Sequence, residues 1–478
     1  MLSNRIVPLI VAVALFMENM DSTVIATSLP AIAADIGTSP LTLKLAITSY
    51  LISLAVFLPV SGWTADRFGA RTVFRIAIVV FMSGSIGCAF SSTLTEFVIA
   101  RIVEGMGGAM MTPVARLILV RTVNKQELVV AMIWVTVPAL TGPMIGPPLG
   151  GFITTYISWH WIFLINVPMG IAGIILATIY IKDVRAENPD PFDLMGALLA
   201  GVGIAGLVFG GSVLGLNFLP LPVTIALIVM GALATTAYVL HARRTEVPIL
   251  DLKLLRYPTL RAAVVGGFVY RSGIGAMPFL LPLMLQLGFN MTAFEAGLVT
   301  LANVFGALGM KICIPYVLRR FGFRTALGAN ALISCTFVGM CATFVPGVPL
   351  VWMLAILLIG GFFRSLEYTS LNTIAYADMD HRNMSRATSL VAVSQQLSIS
   401  VGVAIGAALV ELTLRLNGRD AITAWDFQAA WIVVSAISAT SALLFWSMPV
   451  DAGAEVSRRG VTATKTVVDG TAPSRLPD

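Results

Sequence analysis

Two pairs of charged residues stand in stretches that are otherwise almost free of charge: Glu18 with Asp21, and Arg101 with Glu104. Each pair is spaced by three, which puts both members on one face of a helix. Three carboxylates and one guanidinium carry a net charge of -2 when all are ionised, and burying that excess away from water is costly. Such a group must hold a proton or exchange it for a cation. Proton exchange at buried carboxylates is therefore the chemistry the pairs offer. A structural salt bridge between Arg101 and one of the acids is the simpler alternative.

The elements that must carry these residues are membrane helices. The 478 residues are 57% hydrophobic and 11% charged, with a mean hydropathy of +0.90, far from soluble composition. An apolar run of roughly 20 residues crosses the hydrocarbon core as a helix. Fourteen such runs are expected, among them 6-30, 96-120, 129-153, 260-287 and 349-376, and the first is too long for a signal-peptide core. Of the 30 Lys and Arg, 22 fall in alternate connections and three (Lys44, Arg415, Arg419) in the others. Positive residues stay on the cytoplasmic side, so both termini are expected there, and the net charge of +6 reflects topology rather than nucleic-acid binding. At about 1.5 Å per residue, the two charged pairs lie at similar depth in runs 1 and 4. Packed side by side, those runs would form one polar site, with Asp21 as principal proton carrier, Arg101 tuning it and Glu104 as a second carrier or cation contact. Glu18 alternatively faces a hydrated vestibule.

Five cations fall inside runs: Arg101, Arg116, Arg271, Lys311 and Arg364. Arg116 and Lys311 are close enough to the cytoplasmic ends to snorkel. Arg271 lies near midplane, where a lone cation favours an anionic or zwitterionic ligand. Arg364 and Glu367 are three apart and could pair. Tyr50, Tyr270, Asn303, Asn372 and Gln395 are candidate cavity lining, although interhelical hydrogen bonds use the same residue types. Cys88, Cys313, Cys335 and Cys341 lack CxxC spacing and read as small core residues. The Asp378 to His381 run sits in a basic cytoplasmic loop and is not read as a metal site. No metal and no cofactor are expected.

"TGPMIGPPLGG", from Thr141, is an odd composition for a spanning helix. Gly142, Gly146 and Gly150 recur every four residues and share a face that admits a neighbouring backbone closely. Pro143 and its neighbours Pro147 and Pro148 remove donors and bend the helix. Packing alone, or a packed surface that seals and opens, would account for it. Two further segments, "GWTADRFGAR" from Gly62 and "PYVLRRFGFR" from Pro315, share R-F-G-x-R in register 253 positions apart. The offset fits two six-helix halves around a two-helix insert, an arrangement of transporters.

These motifs resemble those of the major facilitator superfamily, in its fourteen-helix drug:proton antiporter branch. "GWTADRFGAR" is similar to the family's loop between helices 2 and 3, and "TGPMIGPPLGG" to its helix-5 signature. "MDSTVIATSLP" resembles the first helix, "ARIVEGMGGAMMTP" the fourth and "SWHWIFLINVPMG" the join of helices 5 and 6. The chain departs from the family at Ala70, where a basic residue is usual, at Arg319, which aligns with Asp66, and at Glu104, where Gln is common. The resemblance implies an all-α polytopic membrane protein of fourteen helices: a bundle at 1-181, an insert at 182-257, a second bundle at 258-448 and a disordered cytoplasmic tail at 449-478. It also implies a conformational latch at Asp66, Arg67, Arg71 and Arg75, with Gly62 and Gly69 permitting a tight backbone; a solvated positive loop is the plainer alternative. Gly142, Pro143, Gly146 and Gly150 become gating residues. The expected function is proton-coupled efflux of small amphiphilic compounds from a bacterial cytoplasmic membrane by a monomer, driven by the proton gradient. Export of organic anions or metal chelates is the alternative, and a non-transporting sensor a distant one. No clustered catalytic set points to an enzyme.

Overall fold

A computed structural model describes residues 3-122, 128-181, 191-214, 218-380, 383-419 and 421-454. The part of the expected disordered tail beyond 454, and His381 with Arg382 at the end of the loop from Asp378, lie outside the described residues. Everything described is helical or connecting. Among the described residues, twelve helical spans are long and apolar enough to cross a membrane. In chain order the helices are α1 (Ser3–Ile36), α2 (Lys44–Phe68), α3 (Ala70–Ala89), α4 (Leu94–Thr122), α5 (Leu128–Tyr156), α6 (Trp161–Tyr180) and α7 (Leu194–Val213). They continue with α8 (Leu221–Arg244), α9 (Pro258–Gly288), α10 (Ala293–Thr343), α11 (Leu350–Ile374), α12 (Met384–Leu416) and α13 (Ala424–Trp446). All but α5 are among the twelve.

The repeated R-F-G-x-R segment has the same backbone consequence twice. Gly69 has φ 94° and separates α2 from α3, while Gly322 has φ 74° and interrupts α10. Both are left-handed values that a side chain disfavours. The 51 residues of α10 are therefore two helical arms meeting at Gly322. Gly62 differs: it is helical, and a Cβ there would meet nothing within 4 Å. The expectation that Gly62 permits a tight backbone is thus wrong, and Gly69 alone makes the turn.

The glycine face of α5 packs on α1. A Cβ at Gly142 would stand 3.1 Å from the Phe16 carbonyl, one at Gly146 would strike Thr23 and one at Gly150 the Val24 carbonyl. Pro147 leaves its carbonyl to accept from Thr27 Oγ1 at 3.2 Å, and Ser28 and Thr154 hydroxyls bond at 2.6 Å. The adjoining side of α5 meets α10. A Cβ at Gly297 would stand 2.5 Å from the Pro147 carbonyl, and one at Gly151 would strike the Ala293 carbonyl. At the same end, Gln286 Nε2 donates to the Thr27 carbonyl at 2.9 Å and the Phe294 amide donates to Thr155 Oγ1 at 3.2 Å. These contacts join α1 and α5 to α9 and α10 around residues 27, 155 and 294.

Candidate functional site

Small residues set the position of the first charged cluster by letting α4 sink between α2 and α3. A Cβ at Gly84 would strike the Glu104 backbone, one at Gly107 would stand 2.7 Å from the Ala77 carbonyl, and one at Gly105 2.7 Å from the Tyr50 carbonyl. Ser53 Oγ donates to the Ile102 carbonyl at 2.7 Å, fixing α2 to α4 between the two charged residues. From there Arg101 reaches α1: its Nη1 donates to Asp21 Oδ2 at 2.8 Å and to Glu104 Oε2 at 2.7 Å. All three side chains are buried, Asp21 and Glu104 at 0% exposure and Arg101 at 1%. The guanidinium lies 4.2 Å from the centroid of the Tyr50 ring and 5.9 Å from that of Phe163, so aromatic faces supply part of the stabilisation that water would otherwise give.

The two carboxylates are not equivalent. Asp21 Oδ1 accepts from Asn166 Nδ2 at 3.2 Å, so both of its oxygens are engaged, and the same amide nitrogen donates to Ser85 Oγ at 3.0 Å. Glu104 Oε2 additionally accepts from the Cys88 thiol at 3.5 Å, but Glu104 Oε1 is buried without a hydrogen-bond partner among the described residues. Chemically, two carboxylates on one guanidinium nitrogen leave one negative charge in excess, with an acceptor oxygen available for a proton.

Glu18 stands apart from this triad. It is half-buried and accepts a short hydrogen bond from Thr112 Oγ1 on α4. Of the four residues expected at one polar site, the structure brings Asp21, Arg101 and Glu104 together, while Glu18 occupies a neighbouring position a turn away. Asn166, Ser85, Cys88 and Thr112 were not anticipated. Asn166 has a signal in retrospect, because it is an amide inside an apolar run.

A second polar cluster lies between α9, α10 and α11. Arg364 and Glu367, whose spacing would allow them to pair, bond other partners. Arg364 donates a short hydrogen bond to Asn303 Oδ1 on the first arm of α10, and Glu367 Oε2 accepts from Asn330 Nδ2 on the second arm at 2.7 Å. Two polar partners from separate arms draw residues three apart on α11 in different directions. Tyr270 bonds Ser334 through its hydroxyl at 3.0 Å. Arg271 is buried at 1% exposure, and its three guanidinium nitrogens have no hydrogen-bond partner among the described residues. Asn372 is exposed and accepts from Gln395 Nε2 at 2.9 Å, joining α11 to α12. Asp66 is half-buried and Arg67 exposed at the end of α2; Arg71 Nη1 donates to the Ile181 carbonyl at 3.4 Å, and Arg75 is half-buried.

Most of the chain, residues 11–403 and 263–473, matches the family model of the Major Facilitator Superfamily. The chain belongs to the major facilitator superfamily. It is 39% identical over 462 residues to the protein named "Putative multidrug resistance protein MdtD" of Escherichia coli strain K12, covering 94% of this chain and 96% of that one. The protein of the same name in Citrobacter koseri is 39% identical over 468 residues with the same coverage. Among solved structures, a D-xylose-proton symporter superposes with a TM-score of 0.66 at 14% identity, over 94% of this chain and 98% of that one. A bacterial homologue of the human lysosomal transporter Spinster superposes with a TM-score of 0.64 at 13% identity, over 93% and 96%. These last two establish the all-helical superfamily fold alone.

Proposed function

We propose that the protein exports small amphiphilic compounds in exchange for protons by alternating access, as a monomer in a bacterial cytoplasmic membrane with both termini inside. The observation that carries this reading is the buried Asp21–Arg101–Glu104 triad with its unpartnered Glu104 oxygen. Asp21 has both oxygens occupied, by Arg101 and Asn166, whereas Glu104 keeps one without a partner among the described residues. Glu104 is then where the proton rests in this conformation, a shift from Asp21, the carrier expected from sequence. Binding of substrate near Tyr50 or Glu18 would alter how Arg101 divides its charge between the two acids and release that proton. Inward proton movement supplies roughly 2.3 kcal/mol per charge for each 100 mV, enough for uphill export. The name of the 39% identical relatives supports a multidrug range of substrates.

Fourteen crossings complete the reading: α5 joins the twelve spans, and α10 counts as two at Gly322. The halves are then 1-181 and 258-448, with α7 and α8 as the insert at 182-257. The α5–α10 contact at Gly151 and Gly297 is the seal that opens when the halves rock, and the Asp66 to Arg75 segment is the latch at the opposite face.

Proton release on adding substrate to purified protein tests the coupling, with ethidium, a neutral amphiphile and an organic anion as the panel. Release should vanish in both Asp21→Asn and Glu104→Gln, because Asp21 sets the charge that Glu104 responds to. Undiminished release in Glu104→Gln would remove Glu104 from the mechanism.

A further inference from the structure

Arg271 is not used by the proton chemistry above. Its Nε, Nη1 and Nη2 atoms are all buried without a partner among the described residues. A guanidinium presents five N–H donors and no acceptor, and leaving it unpaired in a membrane protein's interior is costly. Its surroundings are arranged around it rather than bonded to it. The guanidinium lies 5.5 Å from the centroid of the Tyr368 ring and folds back over Gly267, where a Cβ would stand 2.7 Å from Nη1. Glu367 is within electrostatic reach, but its Oε2 is held by Asn330 and its Oε1 is unpartnered. Ser272 and Ser370 hydroxyls are also buried without partners. Arg364, by contrast, is engaged by Asn303.

We propose that Arg271 is the anchor of an anion subsite that takes the carboxylate of an organic substrate, with Tyr368 and Tyr270 flanking the apolar body of that substrate. A carboxylate offers two acceptor oxygens in the plane of the guanidinium fork, the geometry its unused donors require. The route in is along α11. Tyr368 is half-buried, and Asn372, one turn further on the same face, is exposed and closed onto Gln395 by a single hydrogen bond. The assignment rests on the exporter reading and names the class of compound that such an exporter would carry.

Equilibrium calorimetry on the purified full chain, with three probes of one shape, tests it: 1-naphthoate, neutral 1-naphthamide and cationic 1-naphthylmethylammonium. Wild type should bind 1-naphthoate at least about tenfold more tightly than the amide, the worth of charge-assisted hydrogen bonds. Arg271→Gln should remove that preference and leave the ammonium probe's binding as it was. Arg271→Lys, which keeps the charge but not the fork, should fall between the two and serves if Arg271→Gln does not fold. No measurable binding of 1-naphthoate to wild type, meaning that water alone occupies the site, would overturn the proposal. So would equal affinity for naphthoate and naphthamide, or a preference unchanged in both variants. The measurement needs no proton gradient, so Arg271-dependent binding without proton release would sink the coupling mechanism and leave the subsite standing.

Discussion

Gly151 and Gly150 are adjacent on α5 but face different neighbours, which makes them a controlled pair. A methyl group at Gly151 would strike the Ala293 carbonyl and stand 2.7 Å from both the Ala293 carbonyl carbon and Phe294 Cα. All three atoms are backbone, so no rotamer change relieves the clash; α5 and α10 must separate. Overpacking of this kind costs about 1–3 kcal/mol. If α5 and α10 belong to halves that rock apart, the cost falls only on the conformation closed at this end, and the closed-to-open ratio drops by roughly 5- to 150-fold. A methyl at Gly150 instead meets the Val24 carbonyl and side chain of α1, within the same half, and taxes every conformation alike. The readout is disulfide formation between Thr155→Cys and Phe294→Cys, whose backbone and side chain are joined at 3.2 Å in the native protein, in a Cys313→Ser background. Crosslinking should fall strongly in Gly151→Ala and remain near wild type in Gly150→Ala, which should only lower the melting temperature. Crosslinking that is unchanged in Gly151→Ala, or reduced equally in both variants, would refute the idea that this contact reports the state of the transporter.

Three further outcomes follow from the geometry. Arg101→Gln leaves two buried carboxylates without their shared counter-charge and should cost about 3–5 kcal/mol; its melting temperature in detergent should recover on acidification, since protonation neutralises the excess, whereas wild type should recover far less. Gly69→Ala forces a side chain into a left-handed backbone and should lower stability by about 1–2 kcal/mol, while Gly62→Ala, helical and open to space, should be neutral or slightly stabilising by thermal melting. Asn166→Leu removes the amide that occupies Asp21 Oδ1, a charged hydrogen bond worth about 1.5–3 kcal/mol, and should abolish substrate-induced proton release while the Ser85 hydroxyl keeps its bond to the Phe163 carbonyl at 3.0 Å; normal release would show that Asp21 does not depend on it.

Depth counting along apolar runs was enough to bring Asp21 to Arg101 and Glu104, because the rise per residue fixes height and the spacing of three fixes the face. It did not separate Glu18 from them, since facing depends on which neighbour occupies the groove, here Thr112 of α4. Asn166 and Asn330 were illegible for a related reason. An amide in a spanning helix bonds either a backbone carbonyl or a carboxylate, and only the packing of third helices decides between them. Arg364 and Glu367 had the right spacing to pair and were pulled apart by better-placed amides on the two arms of α10. Lys44, expected in an outer loop, is buried at the start of α2 within electrostatic reach of Glu411. Glycine patterns were the most readable feature, because R-F-G-x-R places its glycine at a helix break in both copies.

The triad also has a history within each molecule's synthesis. Asp21 precedes Arg101 by 80 residues and Asn166 by 145, so α1 leaves the ribosome before either partner does. A carboxylate at the centre of an inserting helix costs about 2.5–3.5 kcal/mol, and α1 carries two. The first helix therefore spends its early life as the least settled part of the chain, held by its apolar flanks or kept beside the insertion machinery until α4 arrives with the guanidinium. Arg101 is on this account the residue that commits α1 to the membrane, and its loss would be felt first in the yield of inserted protein.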